Sequence, residues 1–494
     1  MSDRTLLFTG NHDSRNRLLM PKPLLSAHGE PAAVHAPVSA WALTGLALSM
    51  LLPSLDTSIA NTSLPVLAKA LGASFPQVQW VVLAYLLAIT TLIVGAGRLG
   101  DRIGRRCVLL MGIACFIGAS ALCGLSGSLS LLLAARAAQG LGAAAMLALT
   151  IASVSEAVPK ERIGRAMGLL GTMSAIGTAL GPSLGGVLAA AFGWPSIFLV
   201  NVPLGIVAFA LIQRWLPRGR PEETRHGTGV DPVGTVLLAI TLAAYALAMT
   251  LGHGRFGTLN AALLLAAVVG AGIFVYAEAR VASPLVHLSM LRKADLSAGM
   301  AMSALVSAVM MTTLVVGPFY LSRALGLGPA WVGVVLSCGP CVAALSGVPA
   351  GRLVDRLGAR QTTLLGLAAI ATGTSILSLL ALRPAVFGAT GYICPIVVAT
   401  MGYALFQAAN NTSVMAGVAP DRRGVVSGML SLSRNLGLVT GASAMGGVFA
   451  MAVGASDIVL ASPAAVAFGM RVTFGVASGL IASAIVIAWH GRGK

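Results

Sequence analysis

"GAGRLGDRIGRR", residues 95–106, allows two incompatible readings, and the choice between them decides the fold. Gly95, Gly97 and Gly100 satisfy the G-x-G-x-x-G spacing of a dinucleotide-binding turn, in which glycines let the backbone approach a pyrophosphate at a helix N-terminus. Such a turn has to follow a strand and open a helix within a βαβ unit. Here the stretch closes the long apolar run "WVVLAYLLAITTLIV", residues 80–94, so it ends an apolar helix and its glycines belong to a tight turn. No G-x-x-x-x-G-K-[ST] loop occurs anywhere in the chain, which argues against a built-in ATP-driven pump.

Composition says what kind of helix this is. Of 494 residues, 57% are hydrophobic and 10% charged, against roughly a quarter charged in soluble domains. A hydrocarbon core of about 30 Å needs roughly 20 apolar residues per helix. Fourteen such windows lie between residues 40 and 489, and only Asp56, Arg136 and Arg434 are charged inside them. The net charge of +17 would suggest nucleic acid in a soluble protein, but its distribution does not. Threaded from a cytoplasmic N-terminus, only Lys69, Arg255, Arg323, Arg383 and Arg471 fall outside, and the rest of the 32 Lys and Arg, the two in-span arginines apart, fall inside. That is the positive-inside rule, and no nucleic-acid partner is needed to explain the charge. Residues 1–39 are polar and contain no apolar signal-peptide core, which predicts a retained cytoplasmic tail.

The turn also repeats. Gly97-Arg-Leu-Gly-Asp101-Arg102-Ile-Gly104-Arg105-Arg106 returns as Gly351-Arg-Leu-Val-Asp355-Arg356-Leu-Gly358-Ala-Arg360, with seven of ten positions identical at an offset of 254. Gly168, Gly177 and Gly181 return as Gly428, Gly437 and Gly441 at an offset of 260. Two six-helix halves follow, residues 40–213 and 296–494, the second ending in a short tail. An inserted pair of spans, 232–277, lies between cytoplasmic linkers 214–231 and 278–295. Internal duplication of this kind is the usual plan of secondary transporters, with substrate held near the midplane between the halves.

At this point the chain resembles the major facilitator superfamily, and within it the fourteen-span drug/proton antiporter family. The residues responsible are "LDTSIANTSLP" (55–65), "GRLGDRIGRR" (97–106), "RAAQGLG" (136–142), "GTALGPSLGG" (177–186) and "FLVNVPLG" (198–205). The resemblance implies an all-α integral membrane protein of the major facilitator fold, two pseudo-symmetric six-helix halves plus two inserted spans. It implies a proton-coupled exporter of drugs or amphipathic small molecules in the bacterial plasma (inner) membrane, with both termini cytoplasmic. Its partners would be substrate, protons and the lipid bilayer, with accessory efflux proteins unknown; it would need no cofactor or metal, the proton gradient being the energy source. It also implies that Gly97, Asp101, Arg102, Gly104, Arg105 and Arg106 latch the halves on the cytoplasmic side, echoed by Gly351, Asp355, Arg356, Gly358 and Arg360. Gly177, Gly181, Pro182, Gly185 and Gly186 would mark an exporter. Ion pairs and helix ends give the latch a physical basis, and small residues with a proline give span 5 close contacts and a kink. The bland alternatives are a topogenic charge cluster and static packing. Two departures from the family pattern are Ala148, where relatives commonly have Pro, and Pro195, where many have Arg.

Burying a carboxylate within the bilayer costs about 3 kcal/mol on insertion scales, which makes Asp56 the candidate for proton coupling. Asp56 and Arg136 lie at similar depth, roughly 7 to 11 Å from the outer surface at about 1.5 Å per residue, so they can meet. A cationic substrate would then compete with the proton, a route to antiport; the alternative is a bridge that orders the bundle without titrating. Arg434 has no acidic neighbour predictable from sequence. Asn61, Tyr85, Gln139, Tyr320, Gln407, Asn410 and Arg434, with Met310 and Met311 as adaptable apolar surface, are the candidates for a substrate path. Three other readings stay open: an exporter dedicated to one metabolite, a sensor without flux, and a membrane thiol oxidoreductase built on the "CGPC" of Cys338–Cys341.

Overall fold

A computed structural model describes residues 40–157, 163–217, 231–251, 257–281, 294–380, 387–416, 418, 423–454, 458 and 460–490. The expected N-terminal tail and most of both linkers lie outside the described residues. Among those described, every regular element is helical, and fourteen helices are long and apolar enough to cross a membrane. They are span 1 Ala40–Thr62, span 2 Phe75–Gly100, span 3 Arg105–Gly124, span 4 Leu129–Val154, span 5 Leu169–Phe192, span 6 Ser196–Trp215, span 7 Pro232–Thr250, span 8 Thr258–Glu278, span 9 Ala294–Ala324, span 10 Pro329–Leu357, span 11 Ala359–Leu380, span 12 Thr390–Ala416, span 13 Met429–Val453 and span 14 Pro463–His490.

Their ends follow local chemistry. The backbone N–H of Ser74 donates to Gln77 Oε1 at 2.8 Å and Pro76 fills the first turn of span 2, satisfying donors that a helix start leaves orphaned. Asp231 Oδ1 accepts from Gly234 N at 2.8 Å ahead of Pro232 in span 7. A short helix, Leu64–Leu71, follows span 1 with Pro65 in its first turn and closes on Gly72; no sequence expectation anticipated it.

The stretch that decided the fold is not a loop. Residues 97–103 continue the helix Phe75–Ile103, Gly104 alone breaks it at φ 99°, and the next helix begins at Arg105. The second copy does the same: helix Pro329–Leu357, Gly358 at φ 81°, then Ala359. A positive φ with no Cβ penalty lets one residue reverse the chain. The expectation of a tight turn spread over the motif is thus corrected to a single glycine at its end.

The two repeat offsets also appear as packing. A Cβ on Gly142 of span 4 would lie 2.6 Å from Gly112 O of span 3, and one on Gly402 of span 12 would lie 2.6 Å from Gly366 O of span 11. Gly177 of span 5 seats against Leu51 and Ser54 of span 1, while Gly437 of span 13 seats against Ala304 and Ser307 of span 9. Gly181 meets Ser58 and Gly441 meets Met311 at the next turn of the same seams. Close backbone approach through small residues is how membrane helices associate without a hydrophobic driving force. Spans 7 and 8 sit against both halves: Trp80 Nε1 of span 2 donates to Thr250 Oγ1 of span 7 at 3.0 Å, and Leu238, Leu242 and Phe274 cluster with Leu432 of span 13.

One end of the bundle carries Arg102, Arg105, Arg106, Arg352, Arg356 and Arg360 beside the two glycine turns, and is the basic end. The other is the aromatic end. There Phe75 of span 2 meets Phe319 of span 9 edge-on at 4.7 Å between ring centroids and Phe449 of span 13 at 5.4 Å. Gln79 Nε2 donates to Ala442 O at 2.8 Å, and Gly186 seats against Pro329. These contacts join the halves.

Candidate functional site

Span 1 carries Asp56 two turns from its aromatic end, and span 4 descends from the same end to place Arg136 two turns in. The structure brings them into contact: Arg136 Nη1 donates to Asp56 Oδ2 at 2.5 Å, both side chains being at most 1% exposed. Three further side chains complete the cluster. Gln139 Nε2 donates to Asp56 Oδ1 at 2.8 Å and to Ser120 Oγ at 2.8 Å, its Oε1 accepts from Arg136 Nη1 at 2.6 Å, and Asn201 Nδ2 donates to Asp56 Oδ1 at 2.7 Å. Arg136 Nε donates to Val81 O at 2.8 Å, and its guanidinium lies 4.2 Å over the Tyr85 ring and 5.6 Å from that of Phe198.

This arrangement answers what a buried charge demands. Each carboxylate oxygen of Asp56 accepts at least one hydrogen bond, two of them at Oδ1, and the pair is neutral overall, so the cost of dehydration is offset by partners rather than left standing. Arg136 Nη2 and Asn201 Oδ1 are the atoms of the cluster without a hydrogen bond. Spans 1, 2, 3, 4 and 6 all contribute, so the cluster belongs wholly to the first half.

The second half carries no counterpart. By the seams described above, Asp56 corresponds to Val309, Arg136 to Ile396 and Gln139 to Ala399, and all three of those are buried apolar residues.

The substrate-path candidates separate. Tyr85 and Gln139 belong to the buried cluster. Asn61 donates to Thr57 O at 2.8 Å and Asn410 to Gly299 O at 3.1 Å, both within helix packing. Tyr320 stacks on Tyr392 at 6.3 Å, and Met311 is buried against Gly441. Only Met310 and Gln407 are half-buried, Gln407 Nε2 donating to Tyr403 Oη at 2.9 Å. Arg434, expected within the core of span 13, is exposed instead: its neighbour Ser433 takes the inward position and donates to Met300 O at 2.6 Å.

At the basic end the arginines of the motif reach along their own half. Arg105 Nη1 donates to Ala152 O of span 4 at 3.2 Å and Arg106 to Gln213 O of span 6. The side chain of Asp101 lies outside the described residues, and Arg102, Asp355, Arg356 and Arg360 are exposed. Gly177, Gly181 and Gly185 face span 1, whereas Gly186 and Pro182 face span 10 of the other half. Ser120 and Asn201 were missed as site residues; Asn201 stood within the quoted "FLVNVPLG", and that motif was the available signal.

Cys338 and Cys341 lie inside the uninterrupted helix Pro329–Leu357, with Cys338 Sγ donating to Val334 O at 3.7 Å. A thioredoxin-type motif needs its first cysteine at a helix N-terminus, so this geometry removes the oxidoreductase reading. Among the described residues no group of three or more His, Cys, Asp or Glu could hold a metal ion.

Fourteen membrane-length helices in two pseudo-symmetric halves, with a neutralised ion pair sealed inside one of them, define a membrane transporter rather than an enzyme. Residues 46–442 match the Major Facilitator Superfamily, and the chain belongs to that family. It is 32% identical to the multidrug resistance protein Stp of Mycobacterium tuberculosis, over 82% of this chain and 75% of that one. It is 28% identical to the riboflavin transporter RibZ of Clostridioides difficile, over 83% and 88%. In fold it is similar to a bacterial homologue of the human lysosomal transporter Spinster in an inward-facing, unoccupied conformation, with a TM-score of 0.67, 16% identity and coverage of 91% and 96%.

Proposed function

We propose that this transporter exports amphipathic small molecules across a bacterial plasma membrane by alternating access, with proton entry as the driving force. The observation that carries the reading is the Asp56–Arg136 pair with Gln139 and Asn201, a carboxylate buried within a span and held by three side chains of one half. A proton arriving at Asp56 neutralises it and releases Arg136 and the two amides, so protonation changes the packing of spans 1, 4 and 6 together. That is how a small ligand biases a bundle with two arrangements. The likeness to a protein named for multidrug resistance supports a substrate class of drugs or amphipaths.

On this reading the basic end faces the cytoplasm, in keeping with the positive-inside rule, both termini lie there, and the domain limits are those read from the sequence. The motif at Gly97–Arg106 and its echo at Gly351–Arg360 act as latch at that end. In this structure the halves meet at the aromatic end through Phe75, Phe319 and Phe449, an arrangement suited to a cavity open toward the cytoplasm.

A second reading has one observation in its favour: the similarity to a riboflavin transporter fits a chain dedicated to a single metabolite. The test is gradient-driven uptake of a fluorescent amphipathic cation into inverted vesicles carrying wild type or Asp56→Asn at matched expression. Uptake that needs the gradient and vanishes in the variant supports proton-coupled export. Equal uptake in both removes Asp56 from coupling, and none in either favours the single-metabolite reading.

A further inference from the structure

A cavity of about 730 Å³ opens at the aromatic end between the two halves. That volume lies in the range of small-molecule sites, about 300 to 1,000 Å³. The first half supplies Val66 and Lys69 from the short helix Leu64–Leu71; the second supplies Phe319 and Arg323 from span 9, Leu327 and Val332. Phe319 is fully buried and packs on Phe75, so the aromatic contact between the halves forms part of the cavity wall.

The charge of this cavity is one-sided. Lys69 and Arg323 both line it, one from each half, and among the described residues no Asp or Glu does. Among the described residues neither cation has a carboxylate partner. Snorkelling of a long side chain toward lipid headgroups accounts for one exposed cation on its own. It does not account for two cations from different halves around a hollow whose walls are otherwise mostly apolar. Two cations with no carboxylate partner among the described residues, set above an apolar surface, are the complement of a molecule with an anionic head and a greasy body.

We propose that this cavity binds an amphipathic organic anion, its carboxylate, sulfonate or phosphate held between Lys69 and Arg323 and its apolar body lying on Val66, Leu327 and Val332. The occupant ties the first half to the second beside the Phe75–Phe319 contact and opposes their separation at this end. Under the orientation proposed above this is the outer face, so the site is distinct from the cytoplasmic route of an exported substrate. The binding itself does not depend on that orientation or on proton coupling.

The experiment is a fluorescence titration of 8-anilinonaphthalene-1-sulfonate against the purified full chain in phosphatidylcholine nanodiscs, with empty nanodiscs subtracted and no proton gradient present. Saturable binding is expected, competed by decanoate but not by decyltrimethylammonium and weakened by salt. Lys69→Gln and Arg323→Gln each weaken it about fivefold, the upper range for an exposed charge pair, and the double variant loses saturable binding. Phosphatidylglycerol in the nanodiscs separates the two sources of such an anion: displacement of the probe identifies a lipid headgroup as the occupant, and no displacement identifies a free anion. Affinity unchanged in the double variant, or equal competition by the cationic detergent, overturns the proposal. Because both substitutions are on solvent-facing or half-buried side chains, size-exclusion profiles identical to wild type accompany the supporting result.

Discussion

Replacing Asp56 by Asn preserves shape and removes one charge, and the surrounding geometry makes the consequence calculable. Gln139 Nε2 and Asn201 Nδ2 both donate to Oδ1, and Arg136 Nη1 donates to Oδ2. An Asn side chain can offer its oxygen to the two amides only by turning its NH₂ toward the guanidinium, donor against donor. Turned the other way, it faces two amide donors with an NH₂. Either choice strands a buried donor and leaves Arg136 without a counter-charge, a loss of about 3 to 5 kcal/mol for a buried pair broken on one side. The double variant Asp56→Leu, Arg136→Met removes both charges, leaves no uncompensated ion, and is expected to be less destabilised than the two single variants taken together. The assay is unfolding by sodium dodecyl sulfate in mixed micelles, followed by tryptophan fluorescence, on wild type, Asp56→Asn, Asp56→Leu, Arg136→Met and the double variant. The cycle should return a coupling energy of at least about 2 kcal/mol. An Asp56→Asn protein within about 0.5 kcal/mol of wild type refutes the reasoning, because the carboxylate would then not be carrying Arg136. In vesicles the double variant is expected to lack gradient-driven uptake; if it retains it, the pair is a structural bridge and nothing more.

Three other expectations follow from the packing. Gly177→Val drives a side chain into Leu51 O, 2.6 Å from the new Cβ, and is expected to cost about 1 to 3 kcal/mol in the same unfolding assay; Gly95→Ala, with open space around it, is expected to be neutral or to gain up to about 1 kcal/mol. Gly104→Ala and Gly358→Ala place a Cβ at φ 99° and 81°, and each is expected to destabilise its turn by about 1 to 2 kcal/mol, read as faster proteolysis at the basic end. Phe75→Ala removes both ring contacts that join the halves at the aromatic end, worth about 0.5 to 1.5 kcal/mol each beyond area burial. It is expected to lengthen the distance between spin labels at Ala70 and Leu460, and an unchanged distance distribution counts against that contact as a closure.

What the sequence made legible follows the strength of each physical signal. Fourteen spans were readable because lipid tolerates so few charges that a window of 20 residues without one is already an assignment. Asp56 and Arg136 stood out for the same reason. Their partners did not: an amide in a span is ordinary, and the bond from Asn201 to Asp56 crosses 145 residues of chain, so only the folded bundle selects it. Depth was readable for Arg434, but direction was not, since one residue of rotation on span 13 exchanges it with the inward Ser433. The motif at Gly97–Arg106 misled in a small way, because its polar composition suggests a loop while the helix runs on through Ile103 to the one glycine that can turn it.

The one-sided placement of the buried charges has a consequence for how this chain can diversify. Asp56, Arg136, Gln139 and Asn201 are joined by hydrogen bonds, so replacing any one removes a partner from at least one other, and that cluster is held to a narrow vocabulary. Val309, Ile396 and Ala399 at the matching places exchange among apolar residues at about 1.5 kcal/mol or less when volume is kept. Replacements that keep volume are therefore expected to be tolerated more readily at Val309, Ile396 and Ala399 than at Asp56, Arg136, Gln139 and Asn201.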